Sequence, residues 1–246
     1  MKVIANAVRV VEALIHEQPI GVTELAEKIG LPKSSVYRML CALEDSGWVA
    51  RQYQDPRLWV QTPRLWVLVQ QGPGVQIRDW TMPAMEELNN LTGETIHITE
   101  SDNDDLVVID KIETTNPIRV YDPVGIRVPL HQSSSGKAIL STWPLERLED
   151  YIQRVRKKDQ FTLDEDSLCE ELDEVRRTGY ALNRGNWRPE ISGLGVPLRL
   201  NGLDAPASYG LAISIPTHRF SEENIPAFVQ YLSQAQQDIL KRSKLQ

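Results

Sequence analysis

The stretch LPKSSVYRML, residues 31–40, constrains this chain more tightly than any other. Val36, Met39, Leu40 and Leu43 recur at i, i+3, i+4 and i+7, the spacing that stacks side chains on one helix face, so this stripe must be buried. Lys33, Ser34, Ser35, Tyr37 and Arg38 are left outside, and Pro32 suits the first turn, where its missing N–H costs nothing. Just upstream, Thr23 is the expected N-cap of a shorter helix. Glu24 and Glu27 sit near its positive end, Leu25, Ala26 and Ile29 form its buried face, and Gly30 takes the left-handed position at its end. A first helix is expected from the spacing of Val3, Ile4, Ala7, Val8, Val11 and Leu14, ended by Pro19 and Gly21.

Helix, short turn and helix, with polar residues gathered at the start of the second, delivers side chains into a DNA major groove. The other reading is a solvated helix face. WVARQY (48–53) and RLWVQT (57–62), joined by Gln54-Asp55-Pro56, read as a hairpin and favour DNA, because three helices and a hairpin make a winged helix-turn-helix. Ser34 and Ser35 can bond phosphates or base edges, Arg38 can fork onto guanine, Lys33 can neutralise backbone charge, and Arg57 can reach a minor groove or phosphate. The net charge of -7, taken as an average, opposes this. It is unevenly spread: residues 1–70 carry 8 basic and 7 acidic side chains, the remainder 19 and 27. A near-neutral head on an acidic body fits a small DNA-reading module with a partner domain of another function.

VTELAEKIGLPKSSVYRMLCALEDSGWV, residues 22–49, resembles the winged-helix head of IclR-type bacterial transcription regulators. The resemblance implies that this helix enters the major groove of a palindromic operator on double-stranded DNA, with Ser34, Ser35, Tyr37 and Arg38 reading it.

Beyond the head, Pro63 to Gln71 is apolar enough for a helix, Gly72-Pro73-Gly74 is a break, and Ile77, Trp80, Met85, Leu88 and Leu91 mark an amphipathic helix ending at Gly93. Trp66 and Trp80 belong either to a subunit interface or to the chain's own core. From Glu94, ETIHITES, LVVIDKIE, IRVYDPV, SGLGVPLRL and ASYGLAISIP are strand-like runs between Asn, Asp, Gly and Pro turns. Helices are expected near 134–142, 144–157 and 164–178 and from Ser221 onward. The fold class is therefore α+β, an antiparallel sheet flanked by helices, divided into a winged helix-turn-helix (1–62), a helical linker and dimerisation region (63–93) and an effector-binding domain (94–246). No apolar run approaches the ~20 residues of a membrane span. Arg9 and Glu12 interrupt the first apolar stretch, so it is no signal peptide. Cys41 and Cys169 offer no disulfide framework. A cytoplasmic protein is expected, with no membrane contact and no cofactor.

PLHQSSSGKAIL, residues 129–140, looks most like a site. It is no phosphate loop, since no glycine stands five residues before Gly136 and Ala138 follows Lys137. Ser134 to Lys137 and Ser101-Asp102-Asn103 supply two motifs of the serine β-lactamases, but in reversed order and without Lys-Thr-Gly. His16, His97, His131 and His218 lack zinc spacing. A hydrolase using Ser134 and His131 remains as an alternative, although the strained Gly-x-Ser-x-Gly elbow is missing. The other reading is a carboxylate receptor made of Ser133, Ser134, Ser135 and the N–H groups of Gly136 and Lys137 at a helix start, against a plain N-cap serine.

The resemblance extends through this half. The segment is similar to the one that opens a helix along the effector pocket of the family's GAF-like domain, which implies that Ser134 and Ser135 donate to a ligand carboxylate. GYALNRGNWRPEISGLGVPL (179–198) is similar to the strand–loop–strand that closes the pocket. Asn183 stands where Asp is common, and Arg184-Gly185-Asn186-Trp187-Arg188 adds length. Ile191 and Gly193 match pocket walls, and Ser214 matches a polar residue on a later strand. ETIHITE, LVVIDKI and ISIPTHRFSEE resemble members that sense 2-keto-3-deoxy sugar acids. That implies a small carboxylate effector clamped by Arg188, Arg119 or Arg127, with Asn183 and Ser214 on its hydroxyls. The expectation is a homodimer or homotetramer whose operator affinity this effector controls, as a repressor or an activator, and not an enzyme.

Overall fold

A computed structural model describes residues 2–72, 74–158, 163–200, 202 and 204–244. The chain divides into two compact units, Met1–Val75 and Gln76–Gln246.

The first unit holds α1 (Lys2–Glu17), β1 (Ile20–Gly21), α2 (Val22–Ile29), α3 (Lys33–Asp45), β2 (Val49–Arg51), β3 (Leu58–Gln61) and α4 (Arg64–Gln70). Its core is Val10, Leu14, Ile20, Leu25, Ala26, Val36, Leu40, Val49 and Trp59. Of the stripe on α3, Val36 and Leu40 are fully buried, and Met39 and Leu43 pack partly buried against the same core. Gly30 is left-handed at φ 64°, and Leu31 N–H returns to the Ala26 carbonyl at 3.0 Å, so α2 and α3 are joined by a three-residue turn. Three local expectations are corrected. Thr23 lies inside α2, because Gly21 takes the N-cap with extended backbone. Pro32 is the N-cap of α3, not part of its first turn; its carbonyl accepts from the Ser35 and Val36 N–H groups. On α1 the anchors are Val10 and Leu14, whereas Val3, Ile4 and Val8 of the expected stripe stay exposed. The hairpin gains a third strand: the sheet order is β1-β3-β2, with Ile20 opposite Trp59.

Of the expected Gly72-Pro73-Gly74 break, Pro73 lies outside the described residues. The second unit begins in α5 (Gly74–Thr92), followed by β4 (Thr95–Asp102), β5 (Asp105–Ile112), β6 (Arg127–Pro129), α6 (Ser134–Leu140), α7 (Leu145–Lys158), α8 (Glu165–Thr178), β7 (Ala181–Arg184), β8 (Ile191–Leu198), β9 (Tyr209–Pro216) and α9 (Ile225–Ser243). Six antiparallel strands run in the order β6-β5-β4-β9-β8-β7. Side chains alternate across them with period two. Ile96, Ile98, Leu194, Val196, Leu198, Leu211, Ile213 and Ile215 form one face and pack on Met85 and Leu88 of α5 and on Leu232 and Ile239 of α9. The other positions, Thr95, His97, Thr99, Gly193, Gly195, Ala212 and Ser214, are small or polar, and this face carries the cavity described below. Trp80 is partly buried against this same sheet core of the second unit, as the intramolecular reading has it; Trp66 on α4 is 65% exposed.

IRVYDPV (118–124) was an expected strand and is irregular. Pro117 and Pro123 remove two ladder donors, and β6, pairing Arg127 with Val107, takes the place beside β5 instead. The expected cap Ser221-Glu222-Glu223-Asn224 forms a separate 3₁₀ turn over Glu222–Asn224, with Ser221 Oγ accepting from Glu223 N–H, and α9 starts after it.

Candidate functional site

In the head, Lys33, Ser34, Tyr37 and Arg38 are exposed at the start of α3 and Ser35 is half-buried. Tyr37 is oriented by its neighbours: its ring stands edge-on to Trp59 at 6.5 Å, and the Arg51 guanidinium lies 3.8 Å from the Trp59 ring and 5.6 Å from that of Tyr37. Arg51 thus joins the wing to the exposed face of α3, a role that no motif announces. Arg57 is exposed at the wing turn, where it forks onto Asp55 through Nε at 2.9 Å and Nη2 at 2.8 Å. These bonds hold the Asp55 carboxyl down at about 2.

In the second unit, Ser134, Ser135, Asn183, Trp187, Arg188, Ile191, Gly193 and Ser214 come together around one cavity of about 50 Å³. Glycines let α6 lie directly on the sheet. A Cβ at Gly195 would stand 2.5 Å from Ser135 N and 2.6 Å from Ser134 C, and one at Gly210 would stand 2.8 Å from Ser135 Cβ. Gly136 does not line the cavity: a Cβ there would collide with the Leu130 carbonyl. The N–H groups expected to receive an anion are already engaged, Gly136 N–H with Ser133 Oγ at 3.0 Å and Lys137 N–H with the Ser133 carbonyl at 2.9 Å. Ser133 is therefore the N-cap, and the polar groups facing the cavity from α6 belong to Ser134 and Ser135.

Arg188 enters from the β7–β8 loop, stacked on Trp187 at 3.9 Å and paired to Asp122 at 2.9 Å. Asp122 is well buried, and burial raises its carboxyl despite that arginine. The other two proposed clamps lie elsewhere: Arg119 pairs with Glu113, and Arg127 with Asp102 and Asp105. Asn183 Oδ1 accepts from Asn186 N–H at 3.0 Å, and Asn186 Oδ1 accepts from the buried Lys137 at 3.2 Å, tying the loop to α6. Ser134 and His131 do not share a cavity. His131 lines a different one, with its Nδ1 2.7 Å from the Tyr151 hydroxyl. Among the described residues, no group of three or more His, Cys, Asp and Glu side chains is placed to hold a metal ion.

His97, which has no zinc-ligand spacing in the sequence, lines the cavity from β4. It is 3% exposed, its Nδ1 is 2.9 Å from Ser214 Oγ, and its Nε2 has no hydrogen-bond partner. The alternation in ETIHITES marks this position as facing opposite to Ile96 and Ile98, the one sequence signal that could have found it. Burial, aided by the nearby Lys111 charge, lowers its pKa to about 4. The unfolded chain protonates this side chain near 6.5, so its contribution to stability is present above that pH and is lost as the pH falls towards 4. Between about pH 7.5 and about pH 5 this group alone should remove about 2 kcal/mol. Urea unfolding of the wild type and of His97→Gln at both pH values checks it, and equal pH dependence in the two proteins would count against it.

Residues 73–241 match the family "Bacterial transcriptional regulator IclR C-terminal", and residues 3–52 match the IclR helix-turn-helix domain. The chain belongs to the IclR family. It is 32% identical over 238 residues to the HTH-type transcriptional regulator KdgR of Escherichia coli (strain K12), covering 94% of this chain and 88% of that protein. The Thermotoga maritima IclR structure superposes with a TM-score of 0.76 at 26% identity, covering 98% of both chains. An IclR homologue from Microbacterium hydrocarbonoxydans, crystallised with 4-hydroxybenzoate, shares the fold with a TM-score of 0.78 at 21% identity, covering 99% of this chain and 100% of that one. As an IclR-family protein the chain is a DNA-binding transcription regulator, with the helix-turn-helix in its first unit. No described helix is long and apolar enough to cross a membrane.

Proposed function

We propose that the second unit binds a small organic acid, of the keto- or sugar-acid class, and that occupancy of this site sets operator affinity. The observation that carries the reading is the cavity. Hydroxyls of Ser134, Ser135 and Ser214, the Asn183 amide and the Arg188 guanidinium converge between apolar walls such as Leu106 and Ile191, the composition of a site for a small polar ligand. About 50 Å³ holds only a few waters, so a six-carbon acid enters with the Trp187–Arg188 loop displaced. That displacement is the change by which binding acts, since a ligand shifts an equilibrium only by its difference in affinity for two states. The charge balance at the mouth fits: an incoming carboxylate competes with Asp122 for Arg188.

The protein acts as a homodimer or homotetramer in the cytoplasm, without catalysis. Residues 1–62 read DNA through Lys33, Ser34, Ser35, Tyr37, Arg38 and Arg57; residues 63–93, within which the boundary between the compact units falls, connect and dimerise; residues 94–246 sense the acid. Oligomerisation is supported by uncovered apolar side chains in the first unit, Val3, Ile4 and Val8 on α1 and Trp66, Val67 and Val69 on α4. Two heads then call for half-sites spaced by about one helical turn or a multiple. Calorimetry with a panel of keto and sugar acids, paired with operator-binding assays at saturating acid, tests the reading. The expected result is heat from at least one acid, an altered operator affinity, weaker binding by Ser134→Ala and no turnover. If none of the acids binds, the protein is a constitutive DNA-binding scaffold instead; turnover abolished by Ser134→Ala would make it an enzyme.

A further inference from the structure

We infer that His97 is the specificity-determining residue of this cavity and that its Nε2 receives an uncharged oxygen, a hydroxyl, on the part of the acid remote from its carboxylate. The inference rests on the reading of the cavity as an acid site and adds which part of the ligand is read, and by what.

A buried polar atom without a partner is uncommon and calls for an explanation. His97 has one, Nε2, on a side chain that is 3% exposed and lines the cavity. The other ring nitrogen is committed to Ser214 Oγ at 2.9 Å, which fixes the ring plane and aims Nε2. Ser214 can rotate its hydroxyl. If it donates to Nδ1, Nε2 carries the proton and donates; if it accepts from Nδ1–H, Nε2 accepts. A ligand hydroxyl can satisfy either tautomer.

The imidazole is neutral at pH 7, because burial and the Lys111 charge hold its pKa at about 4. It supplies no countercharge, so the carboxylate belongs at Arg188 and the α6 serines, leaving the neutral part of the ligand to His97. Strand register gives the scale. His97 faces Ala212, which faces Gly195, and Gly195 lies under the Ser134–Ser135 peptide. The span from α6 to His97 is one to two strand spacings, about 5–10 Å. That is the length of a short acid chain, and it puts the oxygen read by His97 several bonds from the carboxylate.

The test uses the full-length protein, calorimetry and two probes, 2-keto-3-deoxygluconate and 2-ketohexanoate, which share chain length and keto-acid head and differ in the distal hydroxyls. Wild type should prefer the hydroxylated acid. His97→Asn keeps a polar atom near the Nδ1 position and lacks Nε2, and should weaken that acid by roughly ten-fold while leaving 2-ketohexanoate unchanged. His97→Gln, which returns an amide to the Nε2 position, should recover part of the preference. In wild type, the ¹⁵N signal of His97 Nε2 should move with the hydroxylated acid and not with 2-ketohexanoate, a readout that does not depend on a variant folding. Equal weakening of both acids by His97→Asn, an unchanged preference or an unmoved Nε2 signal overturns the role of His97 and leaves the acid site standing; this is the result if Nε2 merely binds water. If neither probe binds wild type, the keto-acid reading fails and takes this inference with it.

Discussion

Gly195→Ala is expected to detach the first turn of α6 from the sheet and to cost about 3 kcal/mol or more. The added Cβ would lie 2.5 Å from Ser135 N, 2.6 Å from Ser134 C and 2.8 Å from Ser135 Cα, all backbone atoms, so no rotamer change relieves the overlap. Nor can α6 readily retreat, since Ile139 and Leu140 are fully buried among Trp143, Leu148, Tyr151 and Leu172 behind it. Because Ser134 and Ser135 line the cavity, acid binding should be lost along with stability. Gly93→Ala is the control: it places a side chain at φ 66° with nothing within 4 Å, so it should cost about 1 kcal/mol from backbone strain alone and leave binding intact. Urea unfolding and hydrogen exchange at the α6 amides report both effects. If the two variants prove equally mild, the close approach of α6 to β8 is not what shapes the site.

Arg38→Ala should weaken operator binding by about 1–3 kcal/mol and relax base preference at one or two positions. Arg38 is exposed on the second turn of α3, on the side opposite the buried Val36 and Leu40. A guanidinium there can fork onto a guanine edge. Selection of bound sequences from random DNA by wild type and variant, followed by affinity measurements at fixed salt, separates the possibilities. An equal loss on operator and random DNA would reassign Arg38 to a phosphate contact.

The head was legible because its signals are local. The α3 stripe, the left-handed Gly30 and the Asp55-Pro56 turn each depend on residues a few positions apart, and they place Tyr37 and Arg38 outside without knowledge of any other segment. Local rules also erred locally. Thr23 looked like a cap because capping residues are chosen by type, yet the preceding extended Gly21 starts α2. IRVYDPV has the composition of a strand, but two prolines and the competing pairing of β6 with β5 leave it irregular, which brings Asp122 to Arg188.

The sequence alone determined most of the helices and strands, the inward face of α3 and of the main strands, and a DNA-reading helix-turn-helix in the first part of the chain. These follow from periodicity, turn chemistry and family motifs, all properties of neighbouring residues. Only the tertiary structure decided which arginine lines the cavity, that Ser133 Oγ occupies the Gly136 N–H, and that the cavity-lining His97 keeps one ring nitrogen buried and unpartnered. Those facts depend on pairings between strands and helices far apart in the chain, from His97 to Ser214 and from Asp122 to Arg188. No spacing encodes them, because burial and hydrogen-bond partnership arise only when distant segments share one face of a sheet.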